Sequence, residues 1–283
     1  MEIALSAVVA EDPSKVGLMG PDDFAALVAN IGYHGICMRA SLAGVDTPRE
    51  QRLEYKRRLD ALGLKSTMVT SNVDIPLNNS RGQLALREIG PHLDVADDFD
   101  CKILRVCIKS WSDVKWVQRA ADEALERGVT LTHMAHAQSM FETVDGSIEY
   151  ARRVNRRSFA LTYETTNWAR CGQPIGRETI KLLAPYVCYV YLKNGRVGGS
   201  GRRRTLYWHK GWVSWDDLAF GEPGTFDFGE IFAAFSDIGY DGVFAVHQSP
   251  LEGESIEHSA RASYDYLTSV GRFAPRPKAK AKR

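Results

Sequence analysis

Several side chains able to do acid–base or electrostatic chemistry stand at the ends of short apolar runs. Glu164 closes FALTYE, Tyr191 and Lys193 close VCYVYLK, and His247 closes VFAVH. A carboxylate raised in pKa by burial and an imidazole that titrates near neutral pH form a pair suited to moving a proton beside a carbonyl. A phenol and an ammonium group, helped by Arg39 and Arg105 from two further runs, can steady the oxyanion that results. Structural roles stay open for each: Glu164 as an ion-pair partner of Arg105 or Lys193, His247 and Tyr191 as packing groups, Lys193 and Arg39 as salt-bridge partners. His136, Asn167, Trp208, His209 and Glu222 are further candidates for substrate contact, on segments whose placement periodicity fixes less closely.

Side chains alternate between the two faces of a strand. In the run ending at Met134, Val129 and Leu131 face one way and Thr130, Thr132 and Met134 the other. In the run ending at Glu164, Phe159 and Leu161 oppose Ala160, Thr162 and Glu164. The apolar sets belong against helices, so Met134 and Glu164 are expected to point inward at the same end of a sheet, and His133 outward.

The elements that must position these groups are eight apolar runs, at 3–9, 35–39, 66–70, 103–108, 129–134, 159–164, 187–193 and 243–248. Helical periodicity separates them, near 22–31, 48–62, 83–98, 114–127, 146–154, 178–183, 228–238 and 255–270. Eight strands each followed by a helix in this length predict an α/β fold of the (β/α)₈ TIM-barrel type. An open doubly wound sheet is the alternative, disfavoured because no Gly-rich fingerprint follows the first run. The junction IGYHGI at 31–36 recurs as IGYDGV at 238–243, as expected of helices that end on a left-handed glycine before a strand.

One connection is out of proportion. Residues 194–226 hold GRVGGSGRRR, YWHKGW and FGEPGTFD, and the aromatic residues Tyr207, Trp208, Trp212 and Trp215 argue for order. Following the seventh strand, this segment is expected to cover the mouth as a lid-like loop, with a dimer contact as the alternative. Arg202, Arg203 and Arg204 are either solvated or turned to a phosphate or carboxylate. A single barrel domain over 1–273 and a basic disordered tail over 274–283 complete the expected organisation.

Composition narrows the class. With 36 basic and 35 acidic residues the formal charge is +1, which supplies no field for nucleic acid or for a membrane surface. No apolar run approaches a membrane span, and the first residues lack a basic signal region. Five scattered cysteines without CxxC spacing suit reduced thiols in a cytoplasmic protein, and Cys171 is the thiol placed nearest the mouth. Neither a P-loop nor a dinucleotide motif is present.

The segments VTLTHMAHAQSMFETVDGSIEYARRV, FALTYETTNWARCG, PYVCYVYLKNGR, FGEPGTFDFGEIFAAFSDIGYDGVFAV and PHLDVADDFDCKILRV resemble the sugar phosphate isomerase/epimerase family, the xylose-isomerase-like TIM barrels, which share their fold with type 2 AP endonucleases. The resemblance spans roughly 3–270. It implies four metal ligands at strand ends: Glu in a pattern like L-A-x-E-N-H, Asp in Y-D-x-x-N, His before L-K-D, and a final Glu. At those places this chain has Met134, Glu164, Tyr191 and His247, while Lys193 is kept and Asn194 stands for the Asp. A thioether is a poor ligand for a hard cation. The expectation is therefore an isomerase or epimerase acting without the family's metal on a carbohydrate-like small molecule, as a homo-oligomer. A divalent Mn or Mg held by Glu164, His247 and His136 is the alternative for the cofactor. A lyase using the same enolisation, and a non-catalytic carbohydrate-binding or partner subunit, are the alternatives for function.

Overall fold

A computed structural model describes residues 1–70 and 82–276. Eight parallel strands close into a barrel: β1 (Glu2–Ser6), β2 (Gly35–Met38), β3 (Lys65–Thr70), β4 (Ile103–Arg105), β5 (Thr130–Met134), β6 (Phe159–Glu164), β7 (Val187–Leu192) and, after an inserted sheet, β11 (Val243–Val246). Closure is made by β1 against β11, with Glu2 opposite Val243 and Leu5 opposite Val246. Ten helices complete the described chain: α1 (Pro21–Ile31), α2 (Arg49–Ala61), α3 (Gly82–Arg87), α4 (Gly90–Asp98), α5 (Val114–Glu126), α6 (Val144–Val154), α7 (Thr165–Arg170), α8 (Arg177–Leu183), α9 (Phe228–Asp237) and α10 (Ile256–Val270).

Local chemistry explains the boundaries. Pro21 opens α1 where its missing N–H is harmless, and Gly32 closes it at φ 118°. Gly239 repeats the left-handed exit at φ 72°, so both recurrent junctions behave as their sequences predict. The helical period over 83–98 divides into α3 and α4, because Pro91 begins a new helix and cannot continue an old one. The first strand stops at Ser6 and not at residue 9: Ala7–Ala10 turn into a 3₁₀ segment, with Ser6 Oγ accepting from Val8 N at 3.4 Å.

The barrel interior is filled, not hollow. Ala4, Cys37, Met68, Met134, Tyr189, Tyr191 and Ala245 form one inner cluster. Thr67 Oγ1 lies 2.7 Å from Tyr189 OH, and Thr132 Oγ1 lies 2.9 Å from Thr162 Oγ1. Inward parity of Thr132, Met134 and Thr162 is thereby met. His133 faces outward, edge-on to Phe141 with its Nδ1 2.8 Å from Val106 O, and burial presses its pKa down to about 3.

The long connection is a folded sheet in place of a loop. Strands β8 (Gly195–Val197), β9 (Arg203–Tyr207) and β10 (Gly211–Asp217) pair antiparallel in the order β8-β10-β9. Thr205, Tyr207, Val213 and Trp215 lie on the more buried face of that pairing, alternating with more exposed neighbours. At the opposite end of the chain, Ala274 and Arg276 depart from the expected solvated tail. Ala274 N donates to Met1 O at 2.9 Å, and the Arg276 guanidinium donates to Ala29 O and Leu62 O. The remainder of the expected tail, 277–283, lies outside the described residues.

Candidate active site

At the C-terminal ends of the strands lies a cavity of about 170 Å³, lined by Val8, Lys15, Arg39, Arg105, Met134, Lys193, Arg203, Asp217, His247, Gln248 and Ser249. Of the sequence-predicted residues it brings together Arg39, Arg105, Lys193 and His247. Lys15, which follows the 3₁₀ turn after β1, and Asp217, at the end of β10, were not anticipated. A loop residue without periodicity leaves only its position after a strand as a signal.

His247 Nδ1 lies 2.8 Å from Ser6 Oγ, and the ring stacks on Tyr191 with centroids 3.9 Å apart. No hydrogen-bond partner for Nε2 occurs among the described residues. Burial drives the His247 pKa well below the ordinary imidazole value, and the neighbouring charges of Lys193, Arg39, Arg105 and Lys15 drive it further. The ring is accordingly neutral at pH 7. Lys193 is also lowered, by burial first, against the opposing field of Glu164.

Tyr191 is placed below the cavity. Its hydroxyl meets Cys37 Sγ at 3.1 Å, Arg105 Nη1 at 3.3 Å and Met68 Sδ at 3.3 Å, so it holds Arg105 from beneath. Glu164 is fully buried and caps α7: Oε2 accepts from Asn167 N at 2.7 Å and Oε1 accepts from the Thr166 hydroxyl. Asn167 joins β5 to the inserted sheet, donating to Ala135 O at 2.7 Å and accepting from Tyr207 OH at 3.3 Å. His136, lowered mainly by burial, feels Arg105, Glu164 and Lys193 from the rim, but does not line the cavity.

Trp208, His209 and Glu222 are elsewhere. Trp208 is 68% exposed, and the turn carrying it with His209 borders a separate surface cleft with Trp111. Glu222 is exposed and contributes its backbone carbonyl to Asn194 Nδ2 at 3.0 Å. Cys171 is buried beneath Tyr207 and Val213, with its thiol pushed up to about 12 by burial, and so is inert.

Besides the Asn167–Tyr207 bond, the inserted sheet is fastened at two further points. Asn194 N donates to Gln248 Oε1 and Gln248 Nε2 donates to Leu218 O, each at 2.7 Å. Farther out, the buried Glu142 carboxylate receives Trp208 N at 2.9 Å, His209 N at 2.7 Å and also Gln138 N. Glu142→Ala strands three backbone donors and is expected to cost about 3 kcal/mol. It should also raise amide exchange across 203–217; unchanged exchange there would show that Glu142 does not hold the sheet.

A family model described as xylose isomerase-like TIM barrel matches residues 25–269. The chain belongs to this family. No curated protein matches the sequence. Among solved structures, the probable 3-DHS dehydratase AsbF of Bacillus anthracis superposes with TM-score 0.73 at 15% identity, covering 95% of this chain and 99% of that one. D-allulose 3-epimerase from Methylomonas sp. superposes with TM-score 0.67 at 16% identity, over 95% and 97% of the two chains. A xylose isomerase-like TIM barrel protein from Mycobacterium smegmatis, solved in complex with magnesium, gives 0.69 at 16% identity over 95% and 96%. Likeness at such identities shows the fold alone.

The residues that this xylose isomerase-like barrel places around the cavity do not fit a divalent cation. Among the described residues, no three His, Cys, Asp or Glu side chains converge as a metal site. Met134 offers a thioether, the Tyr191 hydroxyl is engaged by Cys37, Arg105 and Met68, and Lys15, Arg39, Arg105 and Lys193 surround His247 with positive charge.

Proposed function

We propose that this barrel is an isomerase- or epimerase-like enzyme that transfers a proton at the carbon beside a carbonyl of a carbohydrate-like substrate, without a divalent metal. His247 carries the reading: it lines the cavity with Lys193 and Arg105, its Nε2 has no hydrogen-bond partner among the described residues, and its ring is held in place by Ser6 and Tyr191. With Nδ1–H donating to Ser6 Oγ, Nε2 keeps the lone pair that takes the proton. Lys193 and Arg105 face the enolate oxygen in place of a metal, and a positioned donor of this kind is worth about 3 kcal/mol in the transition state. Return of the proton to the opposite face gives an epimer; return to the former carbonyl carbon gives an isomer.

Glu164 acts as a positioning residue in this scheme, through α7 and through its field at Lys193. The epimerase and dehydratase activities named for two structural neighbours lend support to chemistry by enolisation. Lys193, an ammonium with a lowered pKa, favours a lyase as the second reading, since it can protonate a departing β-hydroxyl. Scattered cysteines without CxxC spacing agree with a cytoplasmic setting. No helix of the described residues is long and apolar enough to cross a membrane.

The test is solvent exchange. Short ketoses, aldoses and their acids are incubated with EDTA-dialysed protein in D₂O, and deuterium is read by mass spectrometry in product and recovered substrate. Incorporation at an unchanged rate after dialysis is expected. Activity that disappears with EDTA and returns with Mn or Mg would overturn the metal-free part, and absence of exchange across the panel would overturn the proton-transfer part.

A further inference from the structure

We propose that the cavity at the mouth recognises a small dianion, a short hydroxylated acid or a phosphate ester, with Lys15, Arg105 and Lys193 as its counter-charges. The inference rests on the reading of this mouth as the active site, and names the charge of what enters it.

Among the described residues, five cationic side chains line the cavity, Lys15, Arg39, Arg105, Lys193 and Arg203, against the single lining carboxylate of Asp217. Two of the five are already matched: Arg39 Nε meets Glu11 Oε1 at 2.7 Å, and Arg203 Nη1 meets Asp217 Oδ2 at 3.0 Å. Lys15, Arg105 and Lys193 form no ion pair with any described residue. Arg105 is the sharpest case, being 2% exposed with its Nε left without a hydrogen-bond partner. Burying an unpaired charge is costly, and crowding like charges raises the cost; a ligand of opposite charge removes both penalties at once.

The arrangement is built into the backbone. Lys15 adopts φ 69°, an uncommon conformation for a residue with a side chain, inside a turn closed by Lys15 N on Asp12 O and Val16 N on Asp12 Oδ1. Lys193 and Arg105 come from strand ends, and Tyr191 holds Arg105 at 3.3 Å. Three charges from three elements thus surround one space.

Size sets the other bound. A volume of about 170 Å³ lies below the roughly 300–1,000 Å³ of drug-sized ligand pockets, so a small ligand is favoured. A neutral polyol would leave Lys15, Arg105 and Lys193 without an ion-pair partner.

The test is calorimetric titration at low and high NaCl with four probes: malonate, sn-glycerol 3-phosphate, inorganic phosphate and the neutral polyol erythritol. At least one dianion is expected to bind while erythritol does not, with affinity falling as salt rises. A preference for malonate assigns the acid, and a preference for the phosphates assigns the ester. Lys15→Met, on an accessible loop, and Lys193→Met should each weaken the preferred dianion about tenfold or more, with folding checked by circular dichroism. Erythritol binding as tightly as the dianions, no dianion binding at all, or unaltered affinity in both variants would overturn the proposal. Because these titrations read binding alone, dianion binding without deuterium exchange would sink the proton-transfer reading and leave this one. Exchange confined to neutral substrates would do the reverse.

Discussion

His247→Gln is expected to lower the rate of solvent deuterium exchange about 10²–10⁴-fold while leaving substrate affinity within a few-fold. Glutamine is near the imidazole in length and can still meet Ser6 Oγ, but it offers no basic nitrogen at the cavity. The loss should therefore fall on kcat and not on KM. Lys193→Met should cost about 10²-fold through loss of a charge facing the enolate oxygen, with a larger share in KM because the same ammonium meets the bound molecule. Near-wild-type exchange in His247→Gln would move the proton transfer to another residue.

A second large effect is expected in acid. His133 and His247 are buried with pKa values below the ordinary 6.5, His133 at about 3 and His247 well below its usual range. The unfolded chain takes up a proton on each near pH 6.5 and the folded chain does not, so their contribution is intact above that pH and is lost as pH falls. His133, at about 3, removes about 1.4 kcal/mol per pH unit below 6.5, or about 3 kcal/mol by pH 4.5, and His247 adds a loss of the same sign. That is a large part of the stability of an ordinary domain. Urea midpoints measured from pH 7.5 to 4.5 should fall steeply below 6.5, and His133→Phe should flatten the slope by about one proton. A midpoint that stays level to pH 4.5 would show that these rings are protonated in the folded state at little cost.

Most of the barrel was legible because its strands are bounded by turn residues and each is long enough to show parity or a continuous apolar run. The errors fall where a local bond competes with the pattern. Ser6 diverts the first strand into a 3₁₀ turn, and Pro91 splits a helix that periodicity joined. Arg39, Arg105, Lys193 and His247 were readable as mouth residues because they lie on or beside strand ends. Lys15 was not, since its place depends on a backbone turn that no period announces. Glu164 shows the converse limit: a carboxylate at a strand end reads as a catalytic group, and its role as a cap for α7 emerges only from the bonds to Thr166 and Asn167. Glutamate is not among the usual capping residues, so the sequence carries little sign of it. The cationic excess at the mouth was hidden as well, because a formal charge of +1 over the whole chain conceals a local concentration of one sign.

The bond between Ser6 Oγ and His247 Nδ1 joins residues 241 positions apart, across the seam where β1 meets β11. Val8 and Lys15 reach the cavity from the early side of that seam, and His247, Gln248 and Ser249 from the late side. Gln248 also ties down Asn194 and Leu218, so the ends of the inserted sheet gain these bonds only after β11 has docked, whereas Glu142 and Asn167 hold its far turn from earlier elements. The lining of the mouth is thus complete only once β11 has docked. Contacts of such long sequence separation form slowly, because the entropy of closing the ring is spent before they return anything. With His247 as the proposed base, deuterium exchange in a refolding experiment is expected to appear only with ring closure, although the cationic side of the mouth comes from earlier elements.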